Sequence, residues 1–507
     1  MEVEKYNNEN NSKKGFNNNR RLSRKEKTVA LSLASILTTL ISTVTAMLMS
    51  RILKQSDLAA YRQTILAYQT FGPILGLGIS QGLFYCLVRN SHRKKAIILE
   101  SIILLLVSGS LYGSFILMGG NALLAQRFSN PQVAEYLVFM VPYALIMIPS
   151  TIISPVLIAE EKIKTNTYFN VIGHLIIALA VVLSITFFKN VKAALISNVT
   201  VSILVFLAGL IIMYKSMPGG SANIQWTSIR QILTFSIPLG LSSMIGTIDK
   251  QLDRWIVSLM CSPEQFAVFS NGAFEVPFVD IITGAITAVV IVDMNKYAKE
   301  GNCEEALNLF KHAAEITSKC LIPLAVFLLV IAEPFIIFMF SERYIESIPI
   351  LRVYLLYLPI RIVQYGALLI AIGKAKEILY RSIIGLIANA IVSIVLVRLF
   401  GAIGASIATI LTIYMVNVPI NLYIIAKYFN IRWYQVLPFK HINNYFLLSI
   451  IPAVICYTVD NWLSGSNVII RLGVDTLVFS TIFILFYFKY NHMKVRCFIN
   501  QYFRRNE

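Results

Sequence analysis

The sequence predicts an all-α polytopic membrane protein with about fourteen transmembrane helices: two six-helix lobes in direct repeat and two further helices at the C-terminal end. Three observations predict it. The 507 residues are 57% hydrophobic and only 14% charged, with a mean hydropathy of +0.69, whereas a soluble chain is nearer a quarter charged. Apolar runs of the ~20 residues needed to cross a bilayer recur between short polar breaks along nearly the whole chain. A set of short matches also repeats at an offset of about 210 residues.

The apolar runs place spans over 28–50, 63–88, 96–118, 133–159, 166–187, 193–214, 231–260, 266–293, 320–340, 348–372, 378–397, 402–426, 442–461 and 468–488. An even number puts both termini on one side. The leading tail carries Lys5, Lys13, Lys14, Arg20, Arg21, Arg24, Lys25 and Lys27, and Lys and Arg are retained in the cytoplasm, so both termini are expected there. Of the 44 basic residues, 31 fall on the tail's side and 9 on the other, with Arg381 and Arg471 counted at the span ends where they stand, leaving Lys250, Arg254, Arg352 and Arg361 further inside spans. That distribution accounts for the net charge of +18 by topology and removes the reason to invoke nucleic acid.

Residues 1–27 are polar and Asn-rich, too hydrophilic for a signal peptide, and are expected to be a disordered basic tail. The remaining chain divides into a first lobe over 28–215, a cytoplasmic linker over 216–230, a second lobe over 231–427, and two extra spans with a basic tail over 428–507. Trp226, Trp433, Trp462 and Trp255 fall at or near span ends, as in an aromatic belt. Ala306, Leu309, Phe310, Ala313 and Thr317 repeat at helical spacing among charges, which fits either a short amphipathic surface helix or a solvated connector. The six cysteines show no close pairing and fit small buried hydrophobes, with no redox or zinc motif and no cofactor implied.

The repeat rests on named residues. Lys162-x-Lys164-x-x-x-Tyr168 recurs as Lys374-x-Lys376-x-x-x-Tyr380 at an offset of 212, and Leu58-Ala59-x-Tyr61 as Phe266-Ala267-x-Phe269 at 208. The offset spans six helices, so the copies share one topology and should be related by an axis along the membrane normal, with a cavity between them.

Ionisable groups near the bilayer centre cost at least ~2.5 kcal/mol on insertion scales, so each needs a partner or a purpose. The seventh span holds Asp249, Lys250, Asp253 and Arg254 on one side of a helix. Lys250 and Asp253 are placed to neutralise each other, while Arg254 has no acid at i±3 or i±4. Lys250 and Arg254 on a cavity wall would attract a phosphate; the competing reading is an interhelical ion pair, with Glu275 or Asp280 as partner. In the tenth span Tyr357, Arg361 and Tyr365 are spaced i, i+4, i+8 beside Tyr354 and Gln364. This polar stripe should face a wet cavity where tyrosine rings stack on sugars, or else pack between helices. Arg51, at the outer end of the first hairpin, is either at the cavity mouth or a plain loop cation. His174 is expected to be a hydrogen-bonded helix contact. Pro73, Pro142, Pro149, Pro155, Pro238, Pro277, Pro323, Pro334 and Pro359 fall within spans and Gly72, Gly76, Gly78 and Gly82 crowd the second, which predicts kinked, closely packed helices.

The segments SRILKQSDLAAY (50–61), FSIPLGLSSMIGTIDKQLDRWIV (235–257), AIGKAKEILY (371–380) and LFGAIGASIATILT (399–412) resemble the multidrug, oligosaccharidyl-lipid and polysaccharide exporter superfamily, in particular its polysaccharide (O-antigen type) flippase branch. The resemblance implies a MATE-like fold whose V-shaped cavity opens alternately to each side. It also implies an undecaprenyl-pyrophosphate-linked oligosaccharide as cargo, moved across the cytoplasmic membrane for surface polysaccharide biosynthesis. Glycan polymerase and glycosyltransferase partners and coupling to H+ or Na+ follow as expectations. Two other readings remain at this point. An ion-coupled multidrug exporter of the same fold would want a carboxylate-dominated cavity. A membrane glycan polymerase or ligase would want a large outward loop, whereas the outward breaks are short and no nucleophile, metal or phosphate-loop motif appears, so no enzyme is expected.

Overall fold

The computed structural model describes residues 24–89, 91–217, 223–276 and 278–504. The expected tail lies mostly outside the described residues; helix begins at Arg24. Every element is helical among these residues, and twelve helices are long and apolar enough to cross a membrane, thirteen counting the bent α11 below.

The first lobe contains α1 (Arg24–Ile52), α2 (Gln55–Leu75), α3 (Ile79–Arg89), α4 (Lys94–Phe115), α5 (Asn121–Arg127), α6 (Gln132–Phe139), α7 (Val141–Ser150), α8 (Ile153–Ala159), α9 (Ile163–Phe188) and α10 (Val191–Ser216). The second contains α11 (Trp226–Met260), α12 (Pro263–Gly272), α13 (Phe278–Lys299), α14 (Cys303–Val330), α15 (Ala332–Phe340), α16 (Ser347–Leu355), α17 (Tyr365–Ala371), α18 (Ala375–Phe400), α19 (Ala402–Thr412) and α20 (Val418–Phe429). The appended pair, α21 (Phe439–Trp462) and α22 (Val468–Arg504), packs on the second lobe through α14 and α15.

The repeat is visible in the backbone. α9 and α18 are both 26 residues long and start 212 residues apart. The turns before them match as well: Lys162 N bonds to Leu157 O at 2.8 Å and Lys374 N to Leu369 O at 2.7 Å. Glu161 and Gly373 both take positive φ, +57° and +76°. At the other matched segment the residues preceding α2 and α12, Lys54 and Ser262, share φ −68° and ψ 158°. Ser262 and Gln265 form a reciprocal capping box that starts α12. The matched Leu58, Ala59, Phe266 and Ala267 are each 1% exposed or less where α2 packs against α12.

Several spans are broken, mostly where proline or glycine predicts it. α2 ends two residues after Pro73, and Leu77 and Gly78 have positive φ before α3 resumes. Gly78 meets the backbone of Ser236 and Gly240 in α11, and a Cβ on Gly240 would lie 2.6 Å from Gly78 N. No side chain fits at that crossing. α11 bends by 40° between Leu241 and Ser243, just beyond Pro238. The expected eighth span is divided between α12 and α13, and the tenth between α16 and α17 with a tight turn around Pro359.

Two expectations change. The amphipathic pattern at 306–317 is the first half of α14, continuous with the ninth span, and Ala306, Phe310, Ala313 and Thr317 are buried in its packing, in part against α21. Trp255 is not a belt residue: its indole donates to Thr70 Oγ1 at 2.8 Å and packs between Phe71 and Phe128 of the first lobe. Trp226, Trp433 and Trp462 are exposed at helix ends. His174 lies 2.7 Å from Asn170 O, the helix contact expected of it.

Candidate functional site

The two lobes meet at both ends of the bundle and separate between them. At the end carrying the α1 C-terminus, called the far end below, Arg343 of the second lobe donates to Arg51 O at 3.2 Å and Leu53 O at 3.5 Å. In return Gln55 Nε2 donates to Arg343 O at 2.6 Å and Arg51 to Phe338 O. Just inside, Gln63 Nε2 donates to Ser258 Oγ at 2.9 Å. At the opposite, basic end, Gln81 Nε2 donates to Ser243 Oγ at 3.3 Å and Tyr85 stacks on Phe235 at 4.2 Å. The wholly buried Glu100 accepts from Gln225 N, Ser228 Oγ and Arg93, capping the start of α11.

Between these contacts lies a cavity of about 540 Å³ walled by α1, α2, α11 and α12. Arg62, Lys250 and Arg254 line it, with Glu275 as the one acid, and Gln69, Gln251 and Ser270 as neutral polar groups. Arg62 lies seven residues into α2 and Arg254 six from the end of α11, so the cations sit ~10 Å along their helices from the far end. Arg62 Nη2 donates to Asn271 Oδ1 at 2.7 Å, while its Nη1, Asn271 Nδ2 and Ser270 Oγ are buried with no protein partner. Buried donors without partners are costly and favour an incoming acceptor. Arg254 Nη1 reaches Gln251 Oε1 at 3.2 Å. α1 contributes Thr39, Ser42, Thr43 and Ala46, a hydroxyl-rich stripe at i, i+3, i+4, i+7.

Of the expected site residues, Lys250 and Arg254 therefore share this cavity. Asp253 does not pair with Lys250: it is 7% exposed and turned into the second lobe, accepting from Tyr354 Oη at 2.7 Å, Asn389 Nδ2 at 3.2 Å and Thr409 Oγ1. Tyr357 and Arg361 lie together, Arg361 Nη1 3.1 Å from Tyr357 Oη and its guanidinium 4.9 Å over the ring. They line a small recess that shares Phe274 and Glu275 with the main cavity. The break between α16 and α17 ends the expected i, i+4, i+8 stripe at Arg361. Gln364 is exposed and belongs to neither space, and Tyr365 is buried against Phe310 at 6.1 Å. Arg51 is part of the far-end closure rather than the cavity.

Sequence reasoning missed Arg62, Ser270, Glu275 and the α1 stripe as cavity groups. The apolar run starts at 63 and so leaves Arg62 outside the second span, whereas α2 starts at Gln55. The signal for the stripe was available in the Ser/Thr spacing of the first span.

Residues 25–291, more than half the chain, match the family model described as polysaccharide biosynthesis protein. The chain belongs to that family. No curated protein sequence gives a match. The family member's fold is that of solved transporters at low identity. The lipid II flippase MurJ in an inward closed conformation is 17% identical, with a TM-score of 0.72 over 92% of this chain and 99% of that one. An inward-facing MATE family multidrug resistance transporter of the MOP superfamily is 16% identical, with a TM-score of 0.61 over 78% and 97%. A MOP superfamily transporter from Pyrococcus furiosus, described as having a binding pocket of reverse polarity, is 16% identical with a TM-score of 0.57 over 80% of this chain and 95% of that one.

Proposed function

We propose that this family member moves a lipid-linked oligosaccharide, carried on an undecaprenyl pyrophosphate, across the cytoplasmic membrane by alternating access and without covalent chemistry. One observation carries the reading: the cavity between the lobes is lined by three cations, Arg62, Lys250 and Arg254, against one acid, Glu275. Guanidinium groups bind phosphate oxygens bidentately, and a lysine adds a point charge. The hydroxyls of α1 and the amides of Gln69 and Gln251 would serve a sugar. A cavity for cationic drugs would carry the opposite balance of charge. Tyr357 and Arg361, in the adjoining recess, are placed to extend the site toward the glycan.

The basic end is the cytoplasmic end in this proposal, as the lysine and arginine distribution supports. Both termini then lie in the cytoplasm, where glycosyltransferases supply the cargo, and a glycan polymerase would receive it on the far side. Asp253 is the group best suited to a coupling ion. It is a buried carboxylate hydrogen-bonded by neutral donors only, Tyr354, Asn389 and Thr409, with Ser393 Oγ behind Asn389 at 3.2 Å, a charge with no cation in its hydrogen-bond shell that suits a proton or Na+.

The test is surface polysaccharide in a strain whose own transporter is deleted. Arg254→Gln combined with Lys250→Gln is expected to cut surface glycan at least tenfold at unchanged protein level. Full glycan export by the double variant, or drug resistance conferred in its place, would overturn the assignment.

A further inference from the structure

A recess larger than the central cavity lies elsewhere in the second lobe. A groove of about 990 Å³ opens at the basic end of the second lobe, where the turn around Pro359 meets α20, the 431–437 connector and the start of α21. Its walls are apolar, formed by Ile362, Tyr365, Val418, Leu422, Leu437 and Ile442. Its rim is not: Lys427 and Arg432 stand there beside Trp433 and Tyr434. Lys427 Nζ lies 5.8 Å over the Tyr423 ring, and Arg432 lies 5.9 Å over Tyr434 and donates to its hydroxyl at 2.9 Å. A second recess of about 790 Å³ shares Trp433, Tyr434 and Phe439 with the groove and adds Lys311 and Lys440.

Neither lining contains an aspartate or glutamate. At the edge of the second recess Glu315 lies 3.9 Å from His441 and 3.7 Å from Lys319. Among the described residues, no carboxylate comes within ion-pair distance of Lys311, Lys427, Arg432 or Lys440. Four cations and aromatic side chains lining two recesses that share Trp433, Tyr434 and Phe439, beside an apolar trough, match the two parts of one molecule. The trough suits acyl chains, the aromatic rings the headgroup level, and the cations a phosphate.

We propose that this groove is a binding site for an anionic glycerophospholipid of the leaflet at the basic end, its phosphate held by Lys427 and Arg432 and its acyl chains lying along Ile362, Val418 and Leu422. Cargo is a poorer occupant, because the groove shares no lining residue with the central cavity. The site lies at the break of the tenth span and beside the wide turn Ile413–Asn417 of the twelfth. A lipid bound there braces two interrupted helices of the moving lobe.

Trp433 reports directly on occupancy. The full chain is reconstituted in vesicles containing either brominated-chain phosphatidylglycerol or brominated-chain phosphatidylcholine, and the Trp433 signal is isolated by difference from Trp433→Phe. The expected result is stronger quenching of Trp433 by the anionic lipid. That preference should fall about fivefold for each cation lost in Lys427→Gln and Arg432→Gln and persist in the charge-conserving Lys427→Arg/Arg432→Lys variant. Equal quenching by the two lipids, or a preference unchanged in the glutamine variants, would overturn the proposal. Relief of quenching by added undecaprenyl diphosphate would assign the groove to the cargo lipid, and shielding of Trp433 from both lipids would assign it to a protein neighbour; either outcome also overturns it.

Discussion

Asp253 and Arg254 are consecutive residues with different surroundings, and helix geometry alone separates them. Arg254 turns to the cavity between the lobes, while Asp253 turns into its own lobe, onto Tyr354, Asn389 and Thr409. Replacing Asp253 by Leu takes the acceptor from the buried Asn389 amide and the half-buried Tyr354 hydroxyl, leaving Thr409 only its 3.5 Å contact to Asn389 Oδ1, and should lower stability by about 2–3 kcal/mol. Asp253→Asn keeps an acceptor and should fold, but its transport should no longer respond to a Na+ or pH gradient. A reconstituted Asn variant with the gradient response of the unaltered chain would remove Asp253 from coupling. The sequence showed that this turn of helix was special, because intramembrane charge is costly enough to need a reason. It did not show which way each charge pointed. The i,i+3 spacing of Lys250 and Asp253 permitted a local pair, and the cross-helix set won because it offers Asp253 three donors.

At the level of elements, the helices and their repeat were legible and the interruptions only in part. Prolines and glycines marked the breaks of the second and seventh spans, but the tenth looked like a continuous stripe because Tyr357, Arg361 and Tyr365 keep helical spacing across a segment that is not one helix. Pro359 was the available signal, since it removes a backbone donor in mid-span. The repeat also predicts a difference between its copies. Glu161 has φ +57° at the position where the second lobe has Gly373 at +76°, and a residue with a Cβ pays about 1 kcal/mol there. Glu161→Gly should therefore raise the thermal stability of the detergent-solubilised chain by up to about 1 kcal/mol, and Gly373→Ala should lower it by a similar amount. A destabilised Glu161→Gly would mean that the Glu161 side chain outweighs the backbone strain.

For the whole molecule, the arrangement is a chamber closed at both ends. Arg51, Gln55 and Arg343 join the lobes at the far end, and Gly78, Gln81 and Glu100 join them at the basic end. Hydrogen bonds join both ends, the basic end adding the Gly78–Gly240 approach and the Tyr85–Phe235 stack, and the far end the buried α2–α12 packing of Leu58, Ala59, Phe266 and Ala267 with Trp255 between Phe71 and Phe128; in the proposed transport cycle one of these sets would have to part at a time. The fold class and the two-lobe plan follow from composition, span count and a repeat offset. The position of the cavity did not, because it depends on how α2 crosses α11 and α12, and no periodicity within one helix encodes a crossing.

The central claim is that the three cavity cations hold the phosphate of a lipid-linked glycan during its passage. The most direct measurement uses vesicles containing the purified protein and a fluorescent undecaprenyl-pyrophosphate oligosaccharide, with transfer between leaflets followed by a membrane-impermeant quencher. The unaltered chain should move the labelled lipid, and an Arg62→Gln/Lys250→Gln/Arg254→Gln variant of equal thermal stability should be slowed at least a hundredfold, about 2.7 kcal/mol of lost interaction. Transfer by the triple variant at the unaltered rate would contradict the account.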